Sequence, residues 1–192
     1  MVTPETIKLL GGAPALDFAN TVDRTEDDAY VADTDALVKP DSLERWGVRV
    51  GIAGPAAGAA ELARARELRD ALHRIFSALA RDQAPELAPL HAAYAEAVAA
   101  GALTRREDGG FALDWPPDEP RRVRFAVAAD AVALLADPDR VARLHRCPGR
   151  ECGWVFLDTS GRRRWCSMAT CGSRAKMRRM YARRRAALAD DA

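Results

Sequence analysis

CPGRECGWVFLDTSGRRRWCSMATC, residues 147–171, holds all four cysteines of the chain. They stand as two close pairs, Cys147 with Cys152 and Cys166 with Cys171, separated by a short loop. A tetrahedral zinc ion needs this arrangement, because each pair wraps one side of the ion and the intervening segment folds back. Disulfides demand an oxidising compartment, and Met1 to Leu10 has neither the apolar stretch nor the cleavage site of a secretory signal. A chain of 192 residues also buries an adequate core without covalent staples. A redox dithiol usually reads C-x-x-C, and neither pair has that spacing. The expectation is one Zn2+ held by Cys147, Cys152, Cys166 and Cys171. Four thiolates fill the coordination shell and leave no place for water or substrate, so the metal is structural rather than catalytic.

Between the pairs, Gly153 to Asp158 and Arg162 to Cys166 flank Thr159-Ser160-Gly161, which reads as a short hairpin with the arginine triplet on its returning strand. Ser167 or Thr170 then caps a last helix running through Ala175, Met177, Met180 and Tyr181 to about Leu188. Cys171 in its first turn sets a thiolate at the positive end of the helix dipole. Hairpin plus helix around one ion is a treble-clef-like plan. Trp154, Phe156 and Trp165 read as its small core, and His145 as no part of the ligand set.

Outward from the cysteines the charge is divided. Residues 1–139 carry 15 Lys/Arg against 24 Asp/Glu, a net of −9, and residues 140–192 carry 14 against 4, a net of +10. An acidic front and a basic tail suit different tasks, or dock on each other. The expected domains are therefore 1–139, α-rich, and 140–192, the metal module. Arginines and acids interrupt every apolar run, so no membrane span is expected and the location reads as cytoplasmic.

The front begins with Gly11-Gly12-Ala13-Pro14, a turn, followed by Leu16, Ala19 and Val22 at helical spacing. Asp41 or Ser42 caps a short helix carrying Leu43 and Trp46, which Gly47 ends. The clearest helix runs from Ala59 to Arg81, with Leu62, Ala65, Leu68, Leu72, Ile75, Phe76 and Leu79 on one stripe. Pro85 opens another to Ala100. Leu103–Arg106 and Phe111–Trp115 flank Asp108-Gly109-Gly110 as a β-hairpin. Glu119 to Ala136 is an apolar helix, expected to be the most buried, and Val141, Leu144 and His145 suggest a further turn. The fold class is mainly α (α+β): a helical N-terminal domain with a β-hairpin, plus the small finger. His73 and His91 read as ordinary helix residues.

The run from Cys147 to Arg185, with GWVFLDTS, RRWCSMATCG and RAK, resembles the CGNR zinc finger. Leu16-Asp17-Phe18-Ala19-Asn20-Thr21 is similar to the opening motif of the ABATE domain, which precedes that finger in a family of bacterial proteins. Ser173 stands where the naming signature has asparagine. The resemblance covers nearly the whole chain and implies a stress-responsive transcription regulator that binds DNA through its finger, with a small-molecule-sensing front domain.

The residues support a polyanion partner independently. Arg174, Lys176, Arg178, Arg179, Arg183, Arg184 and Arg185 crowd the last helix. A zinc–tetrathiolate centre carries about −2 from its ligands, which Arg164 and Arg174 are best placed to balance. Arg162, Arg163, Lys176, Arg178, Arg179 and Arg183 are the candidates for nucleic-acid contact. Asp17, Asn20 and Thr21 either cap helices and turns or line a ligand site. No phosphate loop, metalloprotease helix or nucleophile elbow occurs, so no enzymatic activity is expected. Two other readings stand beside DNA binding: a protein-interaction adaptor and an RNA binder. A two-fold homodimer suits a regulator.

Overall fold

Seven helices and two small antiparallel hairpins follow one another among the described residues. They are α1 (Pro14–Ala19), α2 (Ser42–Arg49), α3 (Ala59–Leu79), α4 (Ala88–Ala100), β1 (Ala102–Arg105), β2 (Phe111–Asp114), α5 (Arg122–Leu135), α6 (Pro138–Val141), β3 (Leu144–Arg146), β4 (Val155–Leu157) and α7 (Ser173–Asp190). A π-helical turn, Met168–Gly172, leads into α7. This computed structural model describes residues 2–190, and side chains for residues 2–185.

Helix α3 is the spine. Leu62, Ala65, Leu68, Leu72, Ile75 and Phe76 are buried as the stripe predicts, with Leu79 packed beside them. Helix α1 lies against α3 and α5, its Ala15, Leu16, Phe18 and Ala19 shielded completely. Phe18 meets the Trp46 ring at 4.9 Å, which seats α2. The β1–β2 hairpin pairs Leu103 with Leu113. It is anchored by Trp115, whose Nε1 donates to the Ala97 carbonyl at 2.8 Å.

The second hairpin is not where the residue pattern put it. Strand β4 pairs with β3, Arg146 opposite Val155 and Leu144 opposite Leu157, so the hairpin lies around the first cysteine pair and its turn is that pair. The segment expected to return as a strand, Arg162–Cys166, is a loop. Asp158 is the cause. Its carboxylate accepts from the amides of Ser160 and Arg163, both at 2.9 Å, and curls the chain before a strand can form. Leu144 and His145 accordingly sit in a strand rather than a helical turn.

Other boundaries shift for local reasons. Gly47 lies inside α2 and does not end it. A Cβ there would stand 2.7 Å from Val123, so the glycine lets α5 approach. The Ser42 hydroxyl turns back to the Lys39 carbonyl and caps nothing. Helix α4 begins at Ala88, with Pro89 in its first turn, not at Pro85. Helix α1 stops before Val22, which is buried in the bend that follows. Neither Ser167 nor Thr170 caps the final helix. Instead the Ser173 hydroxyl donates to the Met168 carbonyl at 2.9 Å.

One core serves front and finger. Val155, Phe156, Leu157 and all four cysteines share a buried cluster with Leu16, Phe18, Leu72 and Phe76. The free edge of β4 is satisfied from the front. The Asn20 side chain donates to the Val155 carbonyl at 2.8 Å and accepts from its amide at 2.9 Å, and the Leu157 amide donates to the Gly11 carbonyl at 2.9 Å. Asn20 thus stands in for a third strand.

Charged residues brace the front beside this seam, and others cross it. Arg69, fully buried, binds Asp35 at 2.6 Å, and Arg24 binds Asp70 at 2.7 Å. Burial alone would raise the Asp35 carboxyl, yet the Arg69 bonds hold it below its ordinary value. From the finger, Arg146 donates to Asp28 at 2.8 Å and to the Thr25 carbonyl at 3.0 Å. The Gly153 carbonyl can only accept, so His73 carries its proton on Nε2 and donates there at 2.9 Å. His73 is therefore more than an ordinary helix residue. Burial, aided by the Arg24 charge, depresses its pKa to about 4.

Two outcomes follow from this seam. Asn20→Ala strands two buried backbone groups, at about 1–3 kcal/mol each. Its denaturation midpoint should fall by a corresponding amount, and Asn20→Asp, which keeps only the acceptor, should lie on the same side. A midpoint within error of wild type would refute the clamp. For His73 the folded pKa lies below the unfolded value of about 6.5. Its contribution is complete above that value and is lost as pH falls from there towards 4, on the order of 3 kcal/mol in all. His73→Gln retains a donor for Gly153 and does not titrate. The stability gap between wild type and this variant should shrink from pH 7 to pH 4, and a constant gap would contradict the buried, neutral ring.

Candidate metal centre and the surfaces around it

Cys147 closes β3 and Cys152 precedes β4, so the hairpin presents two sulfurs from its turn. Cys166 follows the loop that Asp158 organises, and Cys171 comes from the π-helical turn at the start of α7. All four are buried and unbridged, and their sulfurs lie within 4.8 Å of one another. Cys152 is 3.5 Å from Cys166, and Cys166 is 3.6 Å from Cys171. A tetrahedron with metal–sulfur bonds of about 2.3 Å has edges of about 3.8 Å. The four donors are gathered closely enough to hold one zinc ion, and among the described residues no further His, Cys or carboxylate joins the group. This is the site of one structural zinc ion.

The backbone is shaped to the cluster. A Cβ on Gly149 would approach the Cys171 sulfur to 2.9 Å, so the turn of the first pair needs glycine there. Among the sulfurs themselves, hydrogen bonds from Cys152 and Cys166 lower the Cys147 thiol, and contacts with Cys147 and Cys166 raise Cys152. Crowded thiols ionise one at a time. A divalent cation removes that conflict by stabilising every thiolate at once.

Arg163 is half-buried and committed to contacts within the protein. Its guanidinium donates to carbonyls of Leu10 at 2.7 Å and Trp165 at 3.2 Å, and also to that of Cys166. It covers the Phe156 ring at 4.3 Å. It ties the metal loop to the front, whereas Arg162 is exposed and Arg164 lies exposed over Trp165. The structural arginine is thus Arg163. Arg164 makes no contact with the thiolates that would mark it as their counter-charge. Trp154 and Phe156 are buried, as a core role requires.

Lys176, Arg178, Arg179 and Arg183 all stand exposed on α7. Between Ala175 and Arg185 every side chain is exposed, Met177, Met180 and Tyr181 included. Arg143, His145, Arg162, Arg163 and Arg164 line a shallow groove on the finger, with Asp158 among them. Of these, Arg143 is not singled out by the sequence, and His145 is noted there only as no part of the ligand set.

The expected ligand residues have other duties. Asp17 accepts from the Gly11 amide at 2.7 Å, Asn20 clamps β4, and Thr21 donates to the Phe18 carbonyl at 2.8 Å. None of the three lines a cavity among those described. Burial pushes the Asp17 carboxyl up to about 6 despite the amides of Gly11 and Leu10. The polar residue of that stretch that does reach a cavity is Asp23. Burial raises its carboxyl, opposed by the Trp154 indole N–H and the charge of Arg174.

Residues 12–138 match the family model ABATE, described as "Putative stress-induced transcription regulator", and residues 143–184 match the CGNR zinc finger. The first match spans more than half of the chain, which belongs to the ABATE family and ends in a CGNR finger. None of the curated proteins matches it.

Because β4 is held by Asn20 and Gly11 as well as by metal, losing zinc should loosen only part of the finger. Cys166→Ser is expected to hold less than one equivalent of zinc and to speed amide exchange in residues 159–175, with Val155 and Leu157 still protected. Full zinc content with unchanged exchange would contradict the assignment.

Proposed function

We propose, taking that family membership as premise, that the chain is a zinc-dependent DNA-binding regulator whose α7 meets the nucleic acid. One observation carries the reading. Helix α7 holds Arg174, Lys176, Arg178, Arg179, Arg183, Arg184 and Arg185, all exposed, while every ion pair among the described residues lies at or before Arg146. The front reaches the basic region through Asp28 and Arg146, but among the described residues none of these α7 cations has an ion pair, which favours a polyanion over the front as their partner.

Such a helix is uncomfortable alone. Arg174 with Arg178, and Arg179 with Arg183, are like charges four residues apart, each pair costing about 0.2–0.5 kcal/mol. Phosphates convert that cost into a gain. At about 1.5 Å per residue, α7 is about 27 Å long, and a major groove about 12 Å wide admits an α-helix. The groove of Arg143, His145, Arg162 and Arg164 offers further phosphate contacts beside it. Zinc supplies rigidity: it fixes the first turn of α7 to the shared core. The reading assigns no catalytic step. Reduced thiolates suit the cytoplasm. Among the described residues no helix is long and apolar enough to cross a membrane.

The test is fluorescence anisotropy of the zinc-loaded chain with a random-sequence duplex over a range of salt. Six phosphate contacts give a log–log slope near about −5, and Arg178→Ala/Arg179→Ala/Arg183→Ala should reduce its magnitude by about 2.7 while weakening binding. A duplex affinity untouched by the triple substitution would overturn the helix as the contact. Binding to acidic protein without binding to DNA would favour an adaptor, and a preference for single strands would favour RNA.

A further inference from the structure

A cleft lies where three parts of the chain meet: the segment before α1, the loop following α1, and the metal-bearing end of the finger. It encloses about 320 Å³, at the lower end of the range for small-molecule sites. One water occupies about 30 Å³, so the place of a single ion among the cysteines on one wall is a small corner of it.

The other walls have a definite chemistry. Val2, Ile7, Leu10 and Trp154 make an apolar side. Asp23 faces in from the front, one carboxylate oxygen taken by the Trp154 indole and the other without a protein partner among the described contacts. Arg174 faces in from the first turn of α7, exposed and, among the described residues, in no ion pair or hydrogen bond. Opposite charges that both border a cleft without closing on each other leave room for a guest carrying both. Lys8 and Glu151, also at the lining, cancel in charge, so neither a bare anion nor a bare cation is favoured overall.

We propose that this cleft binds a small zwitterion of the amino-acid class and is the input site of the regulator. The ammonium meets Asp23, the carboxylate meets Arg174, and an apolar side chain lies against Val2, Ile7 and Leu10. A guest without its ammonium leaves the half-buried Asp23 carboxylate unsatisfied, and one without its carboxylate forgoes the ion pair with Arg174, so the site favours a guest that carries both charges. The output rests on the DNA-binding reading. Arg174 follows Cys171 by three residues, so a ligand bridging it to Asp23 fixes the direction of α7 relative to the front. This differs from the expectation that Asp17, Asn20 and Thr21 form the ligand site.

The test is isothermal titration calorimetry of the zinc-loaded full chain with L-leucine, L-methionine and L-phenylalanine at millimolar concentrations. The comparison ligands are 4-methylpentanoate and 3-methylbutylamine, leucine without its ammonium and without its carboxylate. At least one amino acid should bind, with either leucine analogue roughly tenfold or more weaker than leucine. Asp23→Asn and Arg174→Gln should each weaken the amino acid by a similar factor at unchanged zinc content. Arg174 is exposed, so its variant decides the matter if Asp23→Asn fails to fold. No binding heat from any amino acid, analogues that bind as well as leucine, or an Arg174→Gln chain that binds like wild type would overturn the site. The duplex assay, run alongside, separates the two failures. DNA affinity without ligand binding removes only the input site, and ligand binding without DNA affinity removes the premise of its output.

Discussion

Four thiolates converge on one point at the junction of two regions that share a single core, and the rest of the architecture depends on that convergence. The sulfurs come from a hairpin turn, a loop and the start of a helix, three pieces too short to hold each other by apolar burial alone. A divalent cation satisfies all four at once and supplies free energy that in zinc-finger peptides amounts to about 10–16 kcal/mol. Here the centre is not left to itself. Strand β4 is completed by the Asn20 side chain and the Gly11 carbonyl, and Arg163 fastens the metal loop to Leu10. Metal and core each position what the other cannot.

Shared burial has a mechanical consequence. In a bead-on-a-string finger, the basic helix would wander with its linker. In this chain the Gly153 carbonyl is held by His73, the Cys152 carbonyl by the Arg24 amide, and Arg146 by Asp28. These contacts fix the hairpin relative to the front, and Cys171, buried with the other cysteines in the shared core, joins the start of α7 to it, while every side chain from Lys176 to Arg185 is exposed. A change in the front thus has a short path to the helix. The cleft between Asp23 and Arg174 lies on that path.

Much of this was legible before any coordinates. The cysteine spacing announces the ion, the apolar stripe of α3 announces the spine, and Asp108-Gly109-Gly110 announces the β1–β2 hairpin. What escaped has physical reasons. Strands of three residues carry too little alternation to be read, and Leu144-His145-Arg146 shows none, so the pairing of β3 with β4 rests on contacts no local pattern encodes. Arg162, Arg163 and Arg164 are equivalent as letters. Only the folded loop decides that the middle one turns to carbonyls while its neighbours face water. Asp17, Asn20 and Thr21 have the chemistry of a ligand site and of a backbone clamp alike, and tertiary structure chose the clamp.

The central claim is that one zinc ion, by joining the finger to the shared core, presents a cationic helix to DNA. Its most direct test is to strip the metal from fully reduced protein and titrate zinc back while following anisotropy of a labelled duplex. The account predicts that tight binding is absent without metal, rises in proportion to added zinc and levels off at one equivalent per chain. Duplex binding of equal strength with and without zinc would contradict it.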